Sequence, residues 1–319
     1  MWAGQLVDAG RLELVNVEPP HPSSLRPGQA IIRSTAGGIC GSDHPKFLVG
    51  GKATSEAMWP RPPGYPLHEI VGEVADSKSA LLDVGDCVVG WAYGGTGLAE
   101  LVVVDDREVV QYNGFEATEA VLIQPLACVI HALKRVDVAD RSVAVIGMGP
   151  IGAMFAHVAK SMGARLVTGI DPVDRGRLRD DGIVDEFIST NAGQWSRSLS
   201  DPGRPNLVIE AVGHQVATLN DAIWACQLNG TVLYFGIPDQ DIYPIDMERV
   251  MRQDLTVIGG VTRQRWRTLH EAEAYLLAHS DLVEMLITHC FGREELQLAY
   301  LTAVASRADR LKVVLSFGS

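Results

Sequence analysis

The stretch SVAVIGMGPIGAMFAHVAKSMGA, beginning at residue 142, constrains the fold more than any other part of this chain. It passes from a short β-branched run into a helical period through three glycines, Gly147, Gly149 and Gly152, spaced G-x-G-x-x-G. The first glycine permits a tight turn, the second lets the backbone approach a pyrophosphate, and the third lets the helix pack on its strand. Pro150 and Ile151 open the helix, whose first turn offers unpaired N–H groups and a positive dipole end to an anion. Ile151, Phe155, Val158, Ala159 and Met162 recur at helical spacing and mark its expected buried face. Asp171 stands at the end of the next strand-like run, 19 residues after Gly152. A carboxylate there accepts hydrogen bonds from a ribose diol and repels a 2′-phosphate, so the pattern implies NAD in preference to NADP. Arg175, itself a candidate cofactor contact, is close enough in sequence to keep NADP open as the alternative, and Val212 is a further candidate cofactor contact.

The rest of the chain falls into three parts. From about residue 118 onward, strand-like runs alternate with helical periods: ARLVTGID (164–171), DEFIST (185–190), NLVIEAVG (206–213), TVLYFGI (231–237) and LTVIGGV (255–261). That alternation predicts parallel βαβ units and an α/β fold with a doubly wound sheet. Earlier residues give short strands separated by Gly, Pro and Asp: AIIRSTAGGI (30–39), EIVGEVADS (69–77), DCVVGWAY (86–93) and LAELVVVDD (98–106). After residue 263 the pattern predicts two helical segments and a last strand, LKVVLSF (311–317). That strand has no βα partner, so it is expected to return to the β-rich part. The expected domains are 1–123, 124–262 and a returning segment 263–319.

The chain has 319 residues and a net charge of −12, which argues against nucleic acid or an anionic membrane as partner. No run of eighteen apolar residues occurs, and the start, MWAGQLVDAGRLELV, lacks a basic segment followed by an apolar block. A cytoplasmic protein acting on a small molecule is expected. The five cysteines are dispersed with no C-x-x-C pair, which reads as free thiols. Taken singly, Cys40 reads as a buried thiol and His68 as a hydrogen-bonded core histidine.

The segments GGICGSD, HEIVGEV, VGDCVVG, VIGMGPIG, NLVIEAVG and LITHCFGREELQLAY…LKVVL are spread over nearly the whole chain. Together they resemble the medium-chain dehydrogenase/reductase superfamily, and most of all its zinc-dependent polyol, sugar and threonine dehydrogenase branch. The resemblance implies a Rossmann domain, a GroES-like catalytic domain and one catalytic zinc. Cys40 would be the first zinc ligand and His68 the second, with Glu69 at the metal or just beside it. Gln124, in LIQPLACVIHAL, stands where the family places a Glu, Asp or Cys ligand. An amide oxygen is a poorer donor than a carboxylate, which leaves Glu69 as the alternative anionic ligand. Leu67 replaces the usual glycine before the histidine.

By the same resemblance, Ser42 takes the substrate proton and Asp43 orients a ligating histidine. His44 lies one place from the relay histidine of some relatives. The four cysteines of a second, structural zinc are missing from VGDCVVGWAYGGTGLAELVVVDD, so no structural zinc is expected. The insert 48–66, with Trp59, together with Trp91 and Arg263, is the candidate substrate pocket. The implied reaction moves a hydride between NAD(H) and a secondary alcohol or ketone. Two alternatives stand beside it, a zinc-free reductase of an activated double bond and a non-catalytic NAD(P)-binding protein. Relatives pair through the TVLYFGI–LTVIGGV edge, so a homodimer or homotetramer is expected.

Overall fold

The computed structural model describes residues 1–50 and 58–318. Residues 51–57 of the candidate pocket insert lie outside the described residues. The chain folds into two compact units. One comprises Met1–Ala127, Arg263–Ala305 and Arg310–Ser319, and the other Cys128–Thr262 with Ser306–Asp309.

The first unit begins with a hairpin of β1 (Trp2–Asp8) and β2 (Arg11–Asn16), turned at Gly10 in a left-handed conformation (φ 68°). The sequence pattern had not marked this hairpin. Next come β3 (Gln29–Ile39), β4 (Glu69–Ser77), β5 (Cys87–Trp91), β6 (Leu101–Asp105) and β7 (Val109–Gln111). β3 pairs with both β4 and β6, and β4 pairs with β5, all antiparallel. β3 is apolar on both faces because it is covered on both; Ala30, Ile31, Ile32, Ala36 and Ile39 are all buried.

The second unit is a six-stranded parallel sheet of β8 (Ser142–Ile146), β9 (Leu166–Asp171), β10 (Glu186–Ser189), β11 (Leu207–Glu210), β12 (Thr231–Tyr234) and β13 (Thr256–Gly259). Its spatial order is β10-β9-β8-β11-β12-β13, the doubly wound order in which the chain reverses beside the first strand. The helix after β8 runs Pro150–Ser161, and Phe155, Val158 and Ala159 are buried as its period predicts. Met162 departs from the expectation, being 37 % exposed. Gly163 takes a left-handed φ of 85° and its N–H caps Lys160, so the helix has ended before Met162 completes the face.

The last part of the chain rejoins the first unit. β15 (Lys312–Ser316) pairs antiparallel with β3, as expected of the leftover strand, and β14 (Ile287–Gly292) lies parallel beside it. β14 corrects the reading of two helices and one strand. The segment holds three helices, Arg265–Ala278, Asp281–Leu286 and Leu296–Val304, with ITHCFG as a strand between the last two. Its polar and β-branched residues are only half-buried at a sheet edge, so they show no clear apolar alternation.

Candidate metal and dinucleotide sites

Cys40 follows β3 and caps the short turn Gly41–Asp43, while His68 directly precedes β4 and Glu69 opens it. Because β3 and β4 are paired neighbours, residues distant in sequence arrive together. Ligand atoms of Cys40, His68 and Glu69 all lie within 4.8 Å of one another.

Asp43 is fully buried beneath this cluster. Its Oδ1 lies 3.0 Å from His68 Nδ1 and 3.0 Å from Lys46 Nζ, and its Oδ2 accepts the Cys40 N–H at 3.2 Å. Burial alone would raise the Asp43 carboxyl. The facing His68 and Lys46 outweigh it and hold the group down at about 2, so it stays ionised. Burial likewise acts to lower His68, but Asp43 and then Cys40 raise it well above the ordinary imidazole value. Nδ1 donates to a fixed carboxylate, so Nε2, once it gives up its proton, is the nitrogen left for a cation. The Tyr300 hydroxyl donates to the Pro66 carbonyl and pins the loop just before His68.

Glu69 is fully buried. One carboxylate oxygen is ion-paired to Lys312 Nζ, and the other, Oε1, has no hydrogen-bond partner. Lys312 is 2 % exposed and also donates to the Ile39 carbonyl at 3.2 Å. The packing is close, since a Cβ on Gly38 would sit 2.1 Å from the Glu69 carboxylate. An unpartnered carboxylate oxygen beside a thiol and an oriented imidazole suits a borderline cation such as zinc. The residues fit the metal.

Gln124 is buried in the first turn of the helix Ile123–Leu133. Ser42 and His44 are half-buried on either side of Asp43. Trp59 packs against the core cluster around Phe47, Tyr65 and Tyr300. Trp91 is buried with the Arg265 guanidinium 5.1 Å above its ring, and Arg265 is ion-paired to Glu108. Arg263 is exposed. Sequence reasoning missed Lys46, Lys312 and Arg265. The only signal for Lys312 was a lone charge inside the apolar run LKVVL.

In the second unit the glycine turn has the geometry its spacing implies. Gly147 has φ 89°, and a Cβ there would lie 2.5 Å from Val212 Cγ2. A Cβ on Gly152 would come 1.9 Å from the Gly147 carbonyl, whereas one on Gly149 would meet nothing within 4 Å. The helix beginning at Pro150 therefore starts over open space. Asp171 Oδ2 accepts the Met148 N–H and Oδ1 the Val173 N–H, both at 2.8 Å, which ties the second strand to the turn. Arg175 is 4 % exposed, and its Nε and Nη1 lack partners. Glu210 is fully buried and accepts from the Val212 and Gly213 N–H groups and the Thr218 hydroxyl.

Residues 26–114 match the alcohol dehydrogenase GroES-like domain, and residues 150–277 match the zinc-binding dehydrogenase domain. The chain belongs to the zinc-dependent medium-chain alcohol and polyol dehydrogenases. Among curated relatives of this dehydrogenase, the L-threonine 3-dehydrogenase of Deinococcus deserti is 25 % identical, over 95 % of each chain. The D-altritol 5-dehydrogenase of Agrobacterium fabrum is 27 % identical over 98 % of each. Among solved structures, alcohol dehydrogenase TADH from Thermus sp. ATN1 superposes with a TM-score of 0.84. It is 25 % identical, covering 99 % of this chain and 100 % of that one. Among the described residues, no helix is long and apolar enough to cross a membrane.

Proposed function

We propose that this dehydrogenase oxidises a secondary alcohol, of the polyol, cyclitol or sugar kind, to the ketone with NAD as hydride acceptor. The convergence of Cys40, His68 and Glu69 carries the reading. Zinc would be held by Cys40 and His68, with a further donor from Glu69 or Gln124. Bound zinc supplies Lewis-acid activation of the alcohol oxygen, and bound NAD supplies the hydride acceptor. The chain's own residues do the rest. Asp43 holds the His68 ring through Nδ1, which leaves Nε2 to lose its proton to an incoming metal, and Lys312 holds one carboxylate oxygen of Glu69. Ser42, between Cys40 and Asp43, takes the alcohol's proton, with His44 next along the chain. Hydroxylated substrates of the D-altritol and threonine dehydrogenases support this class.

Gly147, Gly149 and Gly152 with the helix start at Pro150 and Ile151 would receive the pyrophosphate, and Asp171 the adenosine ribose. Asp171 is already an acceptor of two N–H groups, and each oxygen keeps a second lone pair for a ribose hydroxyl. NAD should therefore bind more tightly than NADP, and Asp171→Ala should narrow the gap. Titration calorimetry with both cofactors checks this, and tighter NADP binding by the parent protein would overturn it.

The decisive experiment pairs elemental analysis of freshly purified protein with NADH formation across a panel of secondary alcohols. About one zinc per chain and turnover of a polyol are expected. Protein without zinc that reduces activated double bonds would instead support the reductase reading.

A further inference from the structure

Two cations lie over one aromatic ring near the donor set. Lys46 Nζ lies 5.9 Å from the Tyr65 ring centre, and the Arg61 guanidinium carbon lies 4.9 Å from it. Lys46 is one carboxylate oxygen away from His68, because both bond Asp43 Oδ1. Gly95 leaves the ammonium room, since even a Cβ there would stay 3.6 Å from Nζ. Tyr65 itself is buried and belongs to the same core cluster as Phe47 and Tyr300.

The charges do not cancel. Around the donor set, Lys46 faces Asp43 and Lys312 faces Glu69, whereas Arg61 has no carboxylate within salt-bridge distance among the described residues. Its Nε is buried with no hydrogen-bond partner. Arg175 and Arg249 also keep a buried Nε without a partner, but they belong to the other unit, and Arg61 is in the unit that carries the donor set. Arg141, Arg252, Arg265, Arg267 and Arg307 each hold a carboxylate. A guanidinium kept partly from water and facing no carboxylate among the described residues is a ready receptor for an anion, since its planar fork matches carboxylate and phosphate oxygens.

We infer that the substrate carries an anionic terminus, a carboxylate or a phosphate monoester, received by Arg61 and Lys46 next to the Tyr65 ring. This rests on the dehydrogenase reading and narrows its substrate class from neutral polyols to hydroxy acids or sugar-alcohol phosphates. Arg61 supplies the bidentate contact. Lys46, already shared with Asp43, adds a point charge nearer the reacting carbon. The positive focus also offsets the chain's overall negative charge, which would otherwise repel such a substrate.

The test uses three six-carbon probes with the zinc-loaded protein: D-glucitol, D-gluconate and D-glucitol 6-phosphate. Binding is read by intrinsic fluorescence titration at low salt, alongside NADH formation. At least one anion should bind roughly tenfold or more tightly than glucitol, and added salt should shrink the ratio. Whichever anion leads identifies the terminus. Arg61→Met should bring the ratio close to one, with Arg61→Lys recovering part of it. Arg33→Met, at the surface pair with Glu100, should leave the ratio unchanged. Glucitol binding as tightly as both anions would overturn the inference, as would a ratio that survives Arg61→Met. Anion preference without any alcohol turnover would count against the dehydrogenase reading, and with it against the anion's being the substrate, while keeping Arg61 as its receptor.

Discussion

Replacing Lys312 with Met separates the protein's own requirement for the buried ion pair from the metal's. Lys312 is 2 % exposed and Glu69 is fully buried, so the pair sits away from water. Methionine nearly preserves the side-chain volume, so cavity formation contributes little. The carboxylate, however, loses its one partner; Oε1 already has none. Removing one member of a buried pair leaves an uncompensated charge, which costs about 3–5 kcal/mol. For a unit of this size each kcal/mol moves the thermal midpoint by about 2–4 °C, so chelator-treated Lys312→Met should melt roughly 6–20 °C lower.

Added zinc should restore part of that loss, because both oxygens of the freed carboxylate are then available to the cation beside Cys40 and His68. The double variant Glu69→Gln/Lys312→Met removes both charges and should recover more than half of the loss without metal. Differential scanning calorimetry of the parent and both variants, with and without zinc, gives all six midpoints. A midpoint within about 2 °C of the parent would refute the reasoning. A double variant as unstable as the single one would do the same, since the cost would then lie in packing and not in charge.

Three further outcomes are expected. Chelator competition should show zinc affinity falling by roughly tenfold or less in Gln124→Ala and further in Glu69→Gln, and the reverse order would make Gln124 the principal oxygen donor. Burial pushes the Glu210 carboxyl above its ordinary 4.5, its hydrogen bonds to Thr218 and nearby backbone N–H groups only partly opposing this. A raised carboxyl gives stability that is full below the ordinary value and is lost as pH rises through the folded one. Glu210→Gln should therefore gain on the parent in thermal midpoint between about pH 5 and pH 8, and a gain confined to acid would contradict this. Finally, β13 is a sheet edge with Val257 and Val261 exposed nearby, so light scattering at micromolar concentration should give two or four chains, not one.

What the sequence alone determined was local. The strand–glycine–helix passage at 142–161 is specified by β-branched residues, by Gly147 and Gly152, where a side chain would clash, and by helical spacing, all within one window. β4 is legible for the same reason, its span 69–77 being set by neighbouring residues and a flanking turn. The motif CGSD and the pair His68–Glu69 named candidate ligands, because the residue types themselves limit the chemistry. Only the tertiary structure decided how those groups are held. Asp43 meets His68 across 25 residues, and Glu69 meets Lys312 across 243. Such pairs leave no periodic trace, since strand pairing, not sequence spacing, brings them together. The same holds for Arg61 and Lys46 at Tyr65, and for ITHCFG, whose strand is fixed by its parallel neighbour β15 more than by its own pattern. A charge buried by long-range packing looks, along the chain, like any other charge.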